Sequence, residues 1–125
     1  MPSQTVDFHS KQPNPEAPTV QDIDPQELWE KRQQVVIVDV RRPDEFTGEL
    51  GHVPGSSLVV LDTLPQRIEE LPKDKTVVFV CRSGNRSGKA TAFAKTQGFV
   101  SVFNMKGGML LWNELGLSVE GRSED

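Results

Sequence analysis

Two continuous runs of β-branched and apolar residues dominate the hydrophobic pattern of the chain, at residues 35–38 and 76–80. Neither run alternates with polar residues. Such runs are typical of strands buried on both faces, as in a parallel sheet that helices cover. Weaker strand patterns occur at residues 57–60 and 99–103. The pattern therefore predicts a sheet whose two best-defined strands lie in its interior.

Helix signals lie between these strands. Asp24 is predicted as the N-cap of a short helix that begins at Pro25 and ends between residues 30 and 32. Glu27 stands where a capping box would return a hydrogen bond to the cap. Ile23 and Leu28 have the spacing of a hydrophobic staple. Together these signals predict a well-defined helix start.

Three further helices are predicted. The first has Leu64 and Ile68 on one face and Asp62 as its N-cap, and the others cover residues 89–97 and 110–115. Strands that alternate with helices indicate an α/β domain with a mostly parallel sheet and helices on both faces.

The length of 125 residues predicts one domain. Residues 1–17 are polar, rich in proline and without periodicity, so we predict a flexible N-terminal segment, a domain over residues 18–119 and a tail over residues 120–125. A net charge of −4 argues against a nucleic-acid or membrane partner. A single cysteine and the lack of a signal-peptide pattern predict a cytoplasmic protein.

The chemistry is concentrated in residues 81–88, directly after the second strong strand. A turn between a strand and a helix presents backbone N–H groups that have no intrahelical partner, and these groups favour anions. Gly84 lets the backbone curl tightly, and Arg82 and Arg86 add permanent positive charge. Cys81 opens this loop, so its thiol should ionise readily and act as a nucleophile.

Other candidates for chemistry are weaker. Asp39 and Arg41 follow the first strong strand, so they could face the loop, and an ion pair at the strand end is an equally good interpretation. His52 lies in a turn-rich segment and is interpreted as a residue that satisfies local hydrogen bonds. Because His9 and His52 show no ligand spacing with the cysteine, we expect neither a metal nor any other cofactor.

At this loop the chain resembles the rhodanese-like single-domain sulfurtransferases. The motifs that carry the resemblance extend over residues 19–117: Asp39-Val40-Arg41 with Glu45-Phe46, Gly51-His52-Val53-Pro54-Gly55-Ser56, Cys81-Arg82-Ser83-Gly84-Asn85-Arg86-Ser87, and Asn104-Met105-Lys106-Gly107-Gly108 with Trp112. The resemblance implies a five-stranded parallel sheet between helices. It also implies that Cys81 takes sulfur from a donor as a persulfide and passes it to a thiophilic acceptor.

The predicted site has one nucleophile, Cys81, and two supporting residues, Asp39 and Arg41. The residues predicted to bind the substrate are Arg82, Ser83, Gly84, Asn85, Arg86 and Ser87. The two arginines favour a small anionic donor such as thiosulfate. The acceptor is expected to be cyanide, a thiol or a sulfur-accepting protein.

Two alternatives stay open at this stage. The first is a phosphatase or arsenate reductase, whose relatives on this fold have a loop one residue longer between cysteine and arginine. Here four residues separate Cys81 from Arg86, and Val80 stands where many cysteine phosphatases have histidine. The shorter loop favours one sulfur over a tetrahedral oxyanion. The second alternative is a module that only carries sulfur or binds a partner.

Overall fold

A computed structural model describes residues 5–122 of the chain. The strands are β1 (Gln12–Pro13), β2 (Gln21–Ile23), β3 (Val36–Asp39), β4 (Ser57–Leu58), β5 (Val77–Val80) and β6 (Val102–Met105). The helices are α1 (Pro25–Lys31), α2 (Pro43–Phe46), α3 (Leu64–Arg67), α4 (Asn85–Thr96) and α5 (Gly108–Glu114). Short 3-10 turns occur at Arg32–Gln34, Leu61–Thr63 and Ile68–Glu70. No helix among residues 5–122 is long and apolar enough to cross a membrane.

The strands form one sheet in the order β1-β2-β6-β5-β3-β4. Five of them, from β2 to β4 in this order, are parallel, which confirms the predicted mostly parallel sheet. The sixth strand, β1, has two residues and pairs antiparallel with β2. The sheet therefore has six strands rather than the five that were predicted, because the N-terminal segment adds an edge strand.

A separate apolar core covers each face of the sheet. Val77 and Phe79 of β5 point to the face that α3 and α4 cover, and Cys81 belongs to the same cluster. Val78 and Val80 point to the other face, where Trp112 of α5 packs. The continuous apolar run of β5 follows from this arrangement, since successive side chains of a strand point to opposite faces.

The N-terminal segment contacts this second core. Phe8, which falls in the segment predicted to be flexible, is 1% exposed and packs edge-on against Phe103 with ring centroids 5.1 Å apart. One apolar residue among polar neighbours makes no periodic pattern, so the sequence did not indicate its burial. Residues 1–4 and 123–125 lie outside the described part of the chain, and the boundaries at 18–119 stay a prediction.

The predicted first helix is confirmed, but its predicted capping box is wrong. Asp24 occupies the N-cap and its side chain makes no capping hydrogen bond. Glu27 instead accepts hydrogen bonds from the backbone N–H groups of His9 and Ser10, both at 2.8 Å, and from Lys31. The carboxylate of Glu27 therefore bonds the N-terminal segment and a lysine of its own helix, and it does not cap the helix. The staple pair of this helix start, Ile23 with Leu28, is buried in one core.

Three other boundaries differ from the predictions. Asp62 lies in a 3-10 turn, and Thr63 is the N-cap of α3. Helix α4 begins at Asn85 and α5 at Gly108, each earlier than its apolar pattern. The first turn of α4 consists of Asn85, Arg86, Ser87 and Gly88, so it has no apolar residue from which the prediction could start. In α5 the structure adds Gly108 and the buried Met109 before the predicted start.

Candidate active site

Cys81 follows the last residue of β5, at the carboxyl end of a central strand. Its side chain is 1% exposed. Cys81 Sγ accepts a hydrogen bond from the backbone N–H of Gly84 at 3.0 Å and lies 3.2 Å from the Ser87 hydroxyl. The sulfur is therefore held inside the loop by a backbone donor and a side-chain hydroxyl. The Gly84 N–H can only donate, so it favours a negative charge on the sulfur.

The loop closes around the sulfur because of a left-handed residue. Gly84 has φ of +106°, a conformation that residues with a Cβ rarely adopt, and it is the N-cap of α4. Helix α4 starts at the next residue, so the N–H groups of Asn85, Arg86 and Ser87 have no acceptor earlier in the helix. These N–H groups and the field of a twelve-residue helix favour an anion beside Cys81.

Helix α5 binds the outer side of the same loop. The N–H groups of Met109 and Leu110 donate to the carbonyls of Cys81 and Arg82, at 2.8 and 3.0 Å. A Cβ on Gly108 would lie 2.4 Å from the Arg82 carbonyl, so only glycine allows this approach. The carbonyls of Cys81 and Arg82 are therefore occupied by hydrogen bonds from α5. The space around the sulfur is left to the N–H groups of the loop.

Arg86, at the end of the loop, forms a bidentate ion pair. Its two terminal nitrogens donate to Glu45 Oε1 and Oε2, at 2.8 and 2.9 Å. The hydrogen bond from Arg86 lowers the pKa of Glu45 to about 2, against a smaller opposing effect of burial. The same bond raises the pKa of Arg86, and the charges of Glu45, Cys81 and Asp39 contribute further. Much of the positive charge of Arg86 is therefore neutralised by Glu45.

Arg82, by contrast, is exposed at the surface. It lines a cavity of about 200 Å³ together with Asp44, Glu49 and the buried Arg41. Arg82 forms no ion pair within the described residues 5–122. Of the two loop arginines, Arg82 is therefore open to solvent, whereas Arg86 is bound by Glu45.

The two supporting residues form a buried ion pair with each other. The Arg41 guanidinium donates to both carboxylate oxygens of Asp39 at 2.8 to 3.1 Å, and its Nη2 donates to the Gly51 carbonyl at 2.7 Å. The Asp39 and Arg41 side chains are each 1% exposed. The structure therefore shows the strand-end ion pair, and Asp39 makes no hydrogen bond with the loop arginines.

Three residues at the site were not in the predicted set. Glu45 holds Arg86, Asn104 accepts from the Ser87 hydroxyl, and Asp22 accepts from the Asn104 amide at 2.9 Å. Glu45 and Asn104 lie in the motifs that carry the family resemblance, which was a usable signal. No pattern in the sequence indicated Asp22, because it is one polar residue in the three-residue strand β2, next to the edge of the sheet.

His52 makes the local contacts that were expected of it. Its Nδ1 lies 2.8 Å from the Phe46 carbonyl, an acceptor to which a ring N–H donates, and its ring stacks on Phe46 with centroids 3.6 Å apart. His52 therefore supports the turn that also carries the acceptor of Arg41, Gly51.

These features define an α/β domain with a cysteine held by a strand–loop–helix unit. A family model described as a rhodanese-like domain matches residues 24–115. The Sulfurtransferase of Allochromatium vinosum is 36% identical over 103 residues, covering 80% of this chain and 94% of the relative. Thiosulfate sulfurtransferase GlpE of Pseudomonas syringae is 38% identical over 91 residues, covering 72% and 84%.

Similarity to a solved structure supports the same family. The rhodanese-related protein from Thermoplasma volcanium superposes with a TM-score of 0.74 at 28% identity, and the match covers 80% of this chain and 97% of that one. The chain belongs to the rhodanese-like family, and its relatives support a sulfurtransferase activity.

Proposed function

We propose that the protein is a sulfurtransferase that moves sulfane sulfur from an anionic donor such as thiosulfate to a thiophilic acceptor, through a persulfide on Cys81. The observation that carries the proposal is the position of Cys81 Sγ at the start of α4, where the N–H of the N-cap residue Gly84 donates to it at 3.0 Å. The names of two relatives, a sulfurtransferase and a thiosulfate sulfurtransferase, support it.

In the first step the Cys81 thiolate attacks the outer sulfur of thiosulfate. A new S–S bond forms, the S–S bond of thiosulfate breaks, and sulfite leaves with the bonding electron pair. The product is an anionic persulfide whose charge lies on the outer sulfur. The N–H groups of the loop and the start of α4 stabilise that charge, as fixed donors stabilise an oxyanion in acyl transfer.

In the second step the acceptor attacks the outer sulfur of the persulfide. Cyanide gives thiocyanate, a thiolate gives a new persulfide, and in both cases Cys81 leaves as the thiolate. The hydrogen bond from Gly84 then stabilises the leaving group. Acceptors in the proposal are cyanide, a thiol or a sulfur-accepting protein, and a cytoplasmic location stays a prediction.

For the donor, the exposed Arg82 is the residue proposed to attract an anion. Arg86 is proposed to fix the end of the loop, since both its terminal nitrogens already donate to Glu45. Ser83 and Asn85 are exposed, and they are proposed to add neutral hydrogen bonds at the entrance. Donor binding therefore depends on one free cation and the backbone of the loop.

The same ion pair weighs against phosphoryl transfer. A cysteine phosphatase needs the loop arginine to bind phosphate oxygens, and here both terminal nitrogens of Arg86 already donate to Glu45. The loop is also one residue shorter than that of phosphatases that resemble this fold. If the protein turned over an aryl phosphate and did not turn over thiosulfate, a phosphatase would be the better interpretation.

The experiment is intact-protein mass spectrometry after incubation with thiosulfate. The wild type should gain the mass of one sulfur and lose it when a thiol or cyanide is added, with thiocyanate as the product in the latter case. The control is Cys81→Ser, which should gain nothing. If the wild type gains no sulfur from thiosulfate or from an organic persulfide, the proposal is wrong and a partner-binding module is the better interpretation.

A further inference from the structure

A buried chain of hydrogen bonds links Cys81 to a carboxylate that the proposed reaction does not use. The Ser87 hydroxyl lies within bonding distance of both Cys81 Sγ and Asn104 Oδ1. Asn104 Nδ2 donates to Asp22 Oδ1 at 2.9 Å. Asp22 is the most exposed of the four residues, at 6%. The chain is therefore shielded from water along its whole length.

Asp22 determines which way the Asn104 amide points. An ionised carboxylate can only accept hydrogen bonds, so the NH₂ group of Asn104 must face Asp22 and its oxygen must face Ser87. Asn14 Nδ2 also donates to Asp22 Oδ1, at 3.0 Å. No cation forms an ion pair with Asp22 within residues 5–122, so its partners are the two amides. Asp22 thus acts as a fixed acceptor at the end of the chain.

The Ser87 hydroxyl has a single hydrogen and two acceptors for it. When Cys81 is a thiol, it donates its S–H to Ser87 Oγ, and Ser87 donates to Asn104, so that every group is satisfied. When Cys81 is a thiolate, the Ser87 hydrogen can stabilise the sulfur only if Asn104 Oδ1 loses its donor in a buried place. Losing a buried partner is costly. The oxygen of Asn104 therefore competes with the sulfur.

We propose that Asp22 and Asn104 are positioning residues that hold the Ser87 hydrogen away from the Cys81 thiolate. Their effect is to make the free thiolate less stable than the loop alone would make it. In the loaded enzyme the charge lies on the outer sulfur, Sγ is neutral, and Ser87 donates to Asn104 without conflict. On the proposed function, which this step assumes, the chain thus favours the loaded form over the free thiolate.

The test measures how alkylation of Cys81 by iodoacetamide depends on pH, with the ultraviolet absorbance of the thiolate as a second readout. The substitution Asn104→Leu removes the competing acceptor with little change of volume. We expect the profile to move to lower pH, with alkylation about two- to tenfold faster on its acid side, which is the range of one hydrogen bond. An unmoved profile would overturn the proposal.

A second background separates competition from a general disturbance of the site. In Ser87→Ala the shared hydrogen is absent, so adding Asn104→Leu should no longer move the profile. If Asn104→Leu moves it equally in both backgrounds, the effect does not pass through Ser87 and the proposal fails.

If Asn104→Leu does not fold, two substitutions of Asp22 give the same information. Asp22→Asn keeps the oxygen that receives both amides, so it should leave the profile close to that of the wild type. Asp22→Leu frees Asn104 to turn its amide toward Ser87, so it should move the profile to lower pH. Equal profiles for the two variants would overturn the orienting role. Alkylation needs no sulfur transfer, so this result stands apart from the thiosulfate loading experiment.

Discussion

Two ion pairs lie near the carboxyl ends of the parallel strands, and they differ in burial and in what they connect. Asp39 and Arg41 belong to one strand end, and both side chains are 1% exposed. Glu45 and Arg86 connect α2 to the start of α4, and their side chains are 20% and 35% exposed. The first pair supports the fold around the site, whereas the second pair sets the charge at the site itself.

The difference follows from the number of partners of each arginine. Arg41 is buried, binds Asp39 through Nε and Nη2, and donates to the Gly51 carbonyl as well. Arg86 has Glu45 alone and remains partly open to water. The motif order on the chain does not reveal this division, since both arginines follow a strand closely.

Breaking the buried pair should have the largest effect. Asp39→Ala leaves the Arg41 charge buried without its partner, and removal of one member of a buried pair costs about 3–5 kcal/mol of unfolding free energy. Urea unfolding measures this loss. Sulfur loading of the folded fraction should change little, because Asp39 makes no hydrogen bond with the loop.

The control for this prediction removes both charges. Asp39→Ala with Arg41→Ala should cost clearly less than the sum of the single substitutions, since no isolated charge is left behind. A loss below about 1 kcal/mol for Asp39→Ala would contradict a structural role for the pair.

Breaking the exposed pair should cost less stability and change the chemistry more. Glu45→Gln should lower the unfolding free energy by about 1 kcal/mol, a value limited by solvent screening. It should also lower the KM for thiosulfate severalfold, because Arg86 regains its free charge near the loop. Steady-state kinetics with cyanide as acceptor measures the second effect, and an unchanged KM would contradict it.

The pH dependence of stability gives a matched control. The pKa of Glu45 is lowered to about 2 in the folded protein, so its contribution to stability is complete above the unfolded pKa of about 4.5 and is lost as the pH falls toward 2. Glu45→Gln should remove that part of the pH dependence. Burial by itself raises the pKa of Glu27, but the hydrogen bonds from Lys31, Ser10 and the His9 backbone together outweigh burial and lower this pKa to about 2. Glu27→Gln should therefore change the pH dependence of stability in acid in the same way as Glu45→Gln. It should leave the KM for thiosulfate unchanged.

Removing the free arginine should have the smallest effect on stability. Arg82 is exposed and forms no ion pair with the residues that the structure describes, so Arg82→Ala should change the unfolding free energy by no more than about 0.5 kcal/mol. We expect the KM for thiosulfate to rise severalfold, with little change in kcat. If thiosulfate turnover is untouched, the charge of Arg82 has no part in donor choice.

The interior of the sheet could be predicted from the sequence because its signal is local. The apolar runs that became β3 and β5 are continuous, as expected of parallel strands covered on both faces. The loop at Cys81 could also be predicted, since its glycine and arginines are neighbours on the chain. Phe8 and β1 could not, because a single apolar residue and two strand residues form no pattern.

The connections within the site could not be predicted for a different reason. Glu45 meets Arg86 and Asp22 meets Asn104 across long stretches of chain, and the sheet order β2-β6-β5-β3 brings them together. One sequence contains no information on which distant polar residues pair. The partner of each polar group becomes known only when the strand order is known.

The contact between α5 and the loop carbonyls has a consequence for the protein during its synthesis. A ribosome makes Cys81 well before it makes Gly108, Met109 and Leu110, whose backbone packs against or bonds the start of the loop. A nascent chain that ends before α5 therefore carries a cysteine whose loop lacks these supports. The loop around Cys81 is completed only when nearly the whole domain has emerged, so we expect the unfinished chain to take up sulfur more slowly than the complete domain.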